Sequence, residues 1–125
     1  MSAAIKGGQR VLIASADVDL SELRKQVIEQ QPSLEVAVSR NKQHALALLH
    51  RESFDLLILC NSLTVRTQVE FTAIYRQKNP KGKILAIAVR GAADLPCDAV
   101  LPAPVSPCEL LGAVRHLLRL GGGDS

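Results

Sequence analysis

The chain has 125 residues, a length at which one compact domain with one hydrophobic core is the usual outcome. Hydrophobic residues make up 47% of it and charged residues 22%, a composition that excludes an intrinsically disordered chain. The net charge is +3, but the basic residues are scattered, and an aromatic content of 2% leaves no platform on which nucleic-acid bases could stack. We therefore predict a single domain over residues 1–125 that does not bind nucleic acid.

The apolar runs are too short for a membrane protein. None reaches the roughly 18 residues of a transmembrane helix. The first run, residues 11–14, is also shorter than the apolar core of a secretion signal, which spans about 7–15 residues. We therefore expect a cytoplasmic protein without a membrane partner.

Five short segments along the chain predict β-strands: residues 11–14, 34–38, 56–59, 84–89 and 99–101. Most of them are continuous apolar runs, which is typical of strands covered by helices on both faces. Helical patterns separate most of the strands. This alternation indicates βαβ units with right-handed crossovers and a parallel sheet.

The helices between the strands are amphipathic. The first helix has four apolar positions at helical spacing, which we assign to its inner face: Leu20, Leu23, Val27 and Ile28. Its polar residues, Arg24 among them, are assigned to the solvent face. The third helix, residues 64–77, has a weaker pattern that directs Val69, Ala73 and Ile74 inward.

The closing helix has the clearest start signal in the chain. Ser106 is placed to be its N-cap, Pro107 to be its first residue, and Glu109 to complete a capping box. The glycine run 121–123 follows the helix, and we predict that residues 121–125 form a flexible tail or linker.

This succession of elements resembles the receiver domain of bacterial response regulators over residues 10–119. The stretches that carry the resemblance are residues 11–20, 54–59, 84–91 and 104–111, of which the last is similar to the proline and helix opening of that family. The resemblance implies a three-layer α/β fold with a doubly wound, parallel, five-stranded sheet of the flavodoxin and CheY-like type.

Receivers transfer a phosphoryl group onto their own aspartate. The family uses an acidic pair that helps to hold Mg²⁺, an acceptor aspartate, a hydroxyl group and a lysine. In this chain those positions carry residues of other kinds, which are Ser15, Ala16, Cys60, Ala88 and Ala103. The resemblance therefore implies a degenerate site with no catalytic residue, no metal and no cofactor.

The chain is also short between the last two of those positions. The segment 90–98 contains the breakers Gly91 and Pro96 and no apolar stripe at helical spacing. We therefore predict that the family's fourth helix is shortened or missing.

Two hypotheses of different classes remain open. The first is a non-enzymatic, phosphorylation-independent pseudo-receiver that binds a signalling protein or a fused output domain. Its partner surface would be the first helix, the last helix or the loop 90–104. The second is a redox- or small-molecule-responsive regulator that uses the vacated crevice around Cys60. No basic residue is predicted beside Cys60, so an inert buried thiol is the simpler interpretation. The sequence specifies neither the partner nor the oligomeric state.

The remaining cysteines and the histidines do not suggest a further site. Cys97 and Cys108 have no metal-binding spacing, and reduced thiols are the expected state in the cytoplasm. The three histidines lie on different predicted helices or helix ends, and we expect them at the surface: His44, His50 and His116.

Overall fold

The computed structural model describes residues 9–60, 62–88, 97–102 and 105–118. Strands and helices alternate through most of these ranges. The elements in chain order are β1 (Gln9–Ala14), α1 (Val18–Ile28), β2 (Leu34–Val38), α2 (Lys42–Arg51), β3 (Leu56–Leu59), α3 (Val65–Lys78), β4 (Lys83–Ala88), β5 (Ala99–Pro102) and α4 (Pro107–Leu118).

All neighbouring strands of the sheet run parallel, in the order β2-β1-β3-β4-β5. The predicted doubly wound, five-stranded α/β fold is therefore confirmed. The order reverses between β1 and β3, and in open parallel sheets the functional crevice lies at the carboxyl ends of the strands beside such a switch point. The residues that follow β1, β2 and β3 are accordingly the first place to look for a site.

The core consists of one apolar layer on each face of the sheet. Successive strand residues point to opposite faces, so Val11 and Ile13 pack toward α1 and α4, whereas Leu12 and Ala14 pack toward α2 and α3. The core is mainly aliphatic, as the composition predicts. Its largest side chain is nevertheless Tyr75, which is fully buried.

The rotation of α1 differs from the prediction. Leu23 is 59% exposed, whereas Arg24 is buried at 7% exposure, so the assignment of Leu23 to the inner face and of Arg24 to the solvent face is wrong. Ser21, Arg24 and Ile28 form the buried face instead. The Ser21 hydroxyl donates to the Asp17 carbonyl oxygen at 2.9 Å, and the residue is fully buried.

The rotation of α3 also differs from the prediction. Val69 is 49% exposed and Ala73 is exposed, while Ile74 is half-buried. The inner face is set by Phe71 and Tyr75, because these two aromatic side chains fill more of the layer than the smaller aliphatic residues could.

The closing helix begins as predicted. The Glu109 amide donates to the Ser106 hydroxyl, the Ser106 amide donates to the Glu109 carboxylate, and both distances are 3.1 Å. This reciprocal pair is a capping box. Three other predictions fall outside the described residues, namely the shortened fourth helix at 89–96, the position of Ala103, and the tail at 121–125. No helix in the described ranges is both long enough and apolar enough to cross a bilayer.

Candidate functional site

The carboxyl edge of the sheet brings together three of the five predicted site positions. Ser15 and Ala16 follow β1, Cys60 follows β3, and the Cys60 amide donates to the Ala14 carbonyl oxygen at 3.1 Å. Ala88 is the last residue of β4, one strand away. The fifth position, Ala103, follows β5 in the sequence and lies outside the described residues.

Cys60 lies in the core beside a cation. It is 1% exposed, and the guanidinium Nη1 of Arg24 donates to its sulphur at 3.0 Å. The prediction that no basic residue lies beside Cys60 is therefore wrong, and the cause is the unexpected rotation of α1. An arginine remains charged in proteins, and a sulphur is only a weak hydrogen-bond acceptor. The end of β3 thus carries a fixed positive charge next to a neutral thiol.

Opposing effects act on the pKa of the Cys60 thiol. Burial raises the pKa of the Cys60 thiol, whereas the charge of Arg24 and a hydrogen bond with Ser15 act to lower it. The effect of burial is the largest of these, so the thiol form is favoured. A thiol that is buried and protonated is a poor nucleophile.

A small hydroxyl network lies above the end of β1. The hydroxyl oxygens of Ser15 and Ser62 are 2.9 Å apart, and the Ala16 amide donates to Ser62 at 2.9 Å. The Asp17 carboxylate accepts from the Leu20 amide at 3.1 Å and so serves as the N-cap of α1. Asp17, the carboxylate next to the positions Ser15 and Ala16, is therefore engaged in helix capping.

The histidine, cysteine and carboxylate side chains of the described residues are not clustered. Within them, no three histidine, cysteine or carboxylate side chains are grouped so that they could hold a metal ion. His44 accepts a hydrogen bond from the Arg40 amide through Nδ1, at 3.0 Å, which gives it a local structural role. Cys97 is half-buried and Cys108 exposed, and both are free thiols.

A cavity of about 320 Å³ opens at the same edge, between the loops that follow β1, β2 and β3. Its lining includes several hydroxyl groups and two basic residues, which are Ser15, Ser39, Ser62, Thr64, Thr67, Arg40 and Lys42. Cys60 and Arg24 do not line it. The edge therefore holds two distinct features, a buried guanidinium–thiol contact and an open polar cavity.

Comparisons with known proteins place this geometry in a structural class. No protein-family model matches the chain, and no curated protein does. The CheY-like receiver domain from Methanospirillum hungatei JF-1 is similar in structure, with a TM-score of 0.77 and 23% identity over 90% of this chain and 94% of that one.

Other receivers give the same result. The Francisella response regulator 1452 receiver domain has a TM-score of 0.75 and 18% identity over 90% of this chain and 98% of its own. The chemotaxis response regulator CheY4 of Vibrio cholerae has a TM-score of 0.74 and 19% identity over 88% and 98%. The chain has the receiver fold.

Two side chains that matter in this receiver fold were not singled out from the sequence. Gln68, which is 5% exposed, donates through Nε2 to the Leu63 carbonyl oxygen at 3.0 Å and thereby supports the loop after β3. Arg24 is the other. Arg24 lies three residues after Ser21 and four before Ile28, and this helical spacing is the signal in the sequence that places Arg24 on a buried face. The apolar pattern through Leu23 obscures it.

Proposed function

We propose that the chain is a cytoplasmic, phosphorylation-independent pseudo-receiver, a domain of receiver fold that acts in bacterial two-component-type signalling by binding a protein partner. The contact between Arg24 and Cys60 is the observation that carries this proposal. It puts a side-chain cation and a thiol at the end of β3, where the resemblance to receivers implies an acceptor aspartate. We propose no catalytic activity for the domain.

The charge of Arg24 supports the loss of phosphoryl chemistry. Receivers use a metal ion at this edge to neutralise several carboxylates. Here a guanidinium lies against the end of β3, and Asp17, the carboxylate that follows β1, caps a helix. A Mg²⁺ ion at this edge would be repelled by the guanidinium of Arg24, and it would not be attracted by an acidic pair.

The surface of α1 supports the protein-binding role. Leu23 is 59% exposed and Val18 is 38% exposed. Asp19 lies one helical turn from Leu23, Glu22 is adjacent, and neither forms an ion pair with any described residue. An apolar side chain among unpaired carboxylates is suited to a partner that presents both apolar and basic side chains.

Two matched variants test this surface. Leu23→Glu and Val65→Glu each place a charge on an exposed apolar helix position, but only Leu23 belongs to the α1 surface; Val65, on α3, is 69% exposed. The parent and both variants would be used to capture proteins from a lysate of the source cell, with and without acetyl phosphate. We expect Leu23→Glu to lose a partner that Val65→Glu retains, in either condition. Capture that requires acetyl phosphate, or that Leu23→Glu leaves unchanged, would contradict the proposal.

The redox alternative gains no support from the surroundings of Cys60. The side chain is 1% exposed, and burial raises the pKa of its thiol. We expect exposed Cys108 to react with a thiol reagent at neutral pH, whereas Cys60 reacts only when the domain unfolds. A Cys60 that reacts in the folded protein as fast as Cys108 would restore the redox hypothesis.

A further inference from the structure

Several hydrogen-bond donors line the cavity of about 320 Å³ at the carboxyl edge. Thr64 donates its hydroxyl hydrogen to the Thr67 oxygen at 3.0 Å, so the Thr67 hydroxyl keeps its own hydrogen for another acceptor. The side-chain oxygen Oδ1 of Asn41 accepts from the His44 amide at 2.8 Å, and the Nδ2 group of the same side chain can only donate. Thr67 and Asn41 thus keep donors for a ligand, whereas the Ser39 hydroxyl donates to the Ile13 carbonyl oxygen at 3.4 Å.

A pair of serine residues also lines the cavity. Ser62 accepts from the Ala16 amide at 2.9 Å, and its oxygen lies 2.9 Å from that of Ser15. The Ser15 hydroxyl donates to the Asp17 carbonyl oxygen at 3.3 Å and accepts from the Asp17 amide at 3.0 Å, and either serine can supply the hydrogen between the two hydroxyl oxygens. Both hydroxyl groups line the cavity, and Ser62 is an exposed residue.

The charged residues that line the cavity also favour an anionic ligand. Arg40 and Lys42 line it, and none of the described lining residues carries a carboxylate. Glu70 pairs with the Lys42 ammonium at 3.0 Å from outside the lining, so the carboxylate offsets one of the two cations and leaves Arg40. The helices α2 and α3, which begin beside the cavity, have no acidic residue in their first turns. These features favour a ligand that accepts hydrogen bonds and carries negative charge.

The cavity also has an apolar wall and a limited size. Leu63 and Phe71 line it beside the hydroxyl groups, which gives an organic group something to pack against. Its volume is at the lower end of the roughly 300–1,000 Å³ of small-molecule sites. We propose that this cavity binds a phosphomonoester of a small organic molecule, with the phosphate on the donors and the organic group against Leu63 and Phe71. The proposal does not depend on the protein-binding role proposed above.

The test is an amide NMR titration of the full chain with three probes: ribose 5-phosphate, inorganic phosphate and ribose. We expect saturable shifts around Ser15, Asn41, Ser62 and Thr67, with ribose 5-phosphate binding more tightly than either of the other two. Absence of saturable shifts would overturn the proposal. Inorganic phosphate that binds as tightly as the ester would overturn the assignment of an organic ligand, and ribose that binds as tightly would overturn the role of the phosphate.

Matched variants locate the binding. Thr67→Val removes a hydroxyl and keeps the side-chain shape, and Arg40→Gln removes a cation; each should weaken ribose 5-phosphate binding about tenfold, since a hydrogen bond to a charged group contributes on this scale. Lys81→Met removes an equal charge at an exposed residue outside the cavity and should leave the affinity unchanged. Equal weakening by Arg40→Gln and Lys81→Met would indicate a general charge effect and overturn the site. A variant counts only if its amide spectrum elsewhere matches that of the parent.

Discussion

Polar side chains have different roles at the two edges of the sheet. At the amino edge, the Asp55 carboxylate accepts from the Arg10 amide at 2.8 Å, and the Asp98 carboxylate accepts from the Ile84 amide at 2.7 Å and from Arg76 at 2.9 Å. These charged groups thus hold the starts of strands. At the carboxyl edge the loops leave donors facing a cavity. The difference indicates that the charged groups of the amino edge stabilise the fold. A cavity of about 330 Å³ also opens there, but its lining includes the Asp55 carboxylate, whereas no described lining residue of the carboxyl-edge cavity carries a carboxylate.

The substitution with the largest expected effect on stability is at Gly82, at the amino edge. A Cβ added there would lie 2.2 Å from the Tyr75 hydroxyl oxygen, which itself donates to the Phe54 carbonyl oxygen at 3.1 Å. Because Tyr75 is fully buried and cannot move aside, we expect Gly82→Ala to lower the free energy of unfolding by about 3 kcal/mol in a urea titration. Gly112→Ala is the control, since nothing lies within 4 Å of that position. A Gly82→Ala protein as stable as Gly112→Ala would contradict the packing described.

The next prediction compares one residue from each edge. Asp98→Ala removes an acceptor for a strand amide and for Arg76, and should cost about 2 kcal/mol. Thr67→Val at the carboxyl edge should change the stability by no more than about 0.5 kcal/mol. Both values come from urea unfolding at pH 7. Equal losses at the two positions would show that the carboxyl edge also serves stability.

A smaller effect is expected at the buried cation. Arg24→Met fills a similar volume without a charge, and replacing a buried charged group by an apolar one is often neutral or stabilising. We therefore expect the free energy of unfolding to stay the same or rise by about 1 kcal/mol. Thermal or urea unfolding would measure it. A loss above about 2 kcal/mol would show that the guanidinium–thiol contact stabilises the fold more than a packed methionine would.

The smallest effect concerns pH at the amino edge. A hydrogen bond from Arg10 is the main cause that lowers the pKa of the Glu52 carboxyl below its usual value of 4.5. A lowered pKa in the folded state gives stability that is present above the unfolded pKa and is lost as the pH falls through the folded pKa. Between pH 6 and pH 3 the parent should therefore lose slightly more stability than Glu52→Gln. If Glu52→Gln loses as much stability as the parent over this pH range, Glu52 does not contribute to the acid sensitivity of the fold.

Strand positions were predictable because short apolar runs end at polar loops, and the order of strands and helices implied the parallel sheet. The rotation of α1 was not predictable in the same way. The apolar pattern runs through Leu23, whereas the buried face is formed by Ser21, Arg24 and Ile28, two of which are polar, so hydropathy favours the wrong face. The cavity was equally hidden, because its hydroxyl groups come from the loops after β1, β2 and β3 and from the start of α3, which approach one another only in the folded chain.

The central proposal is that the end of β3 does not accept a phosphoryl group. The most direct test is the intact mass of the denatured protein after incubation with acetyl phosphate and Mg²⁺, because denaturation removes any ligand that is bound non-covalently. The Cys60→Asp variant accompanies the parent, since it restores the acceptor residue while Arg24 stays beside it. We predict an unchanged mass for both proteins. An added phosphoryl mass on the parent would contradict the claim, and one on Cys60→Asp alone would show that the rest of the site has kept its chemistry.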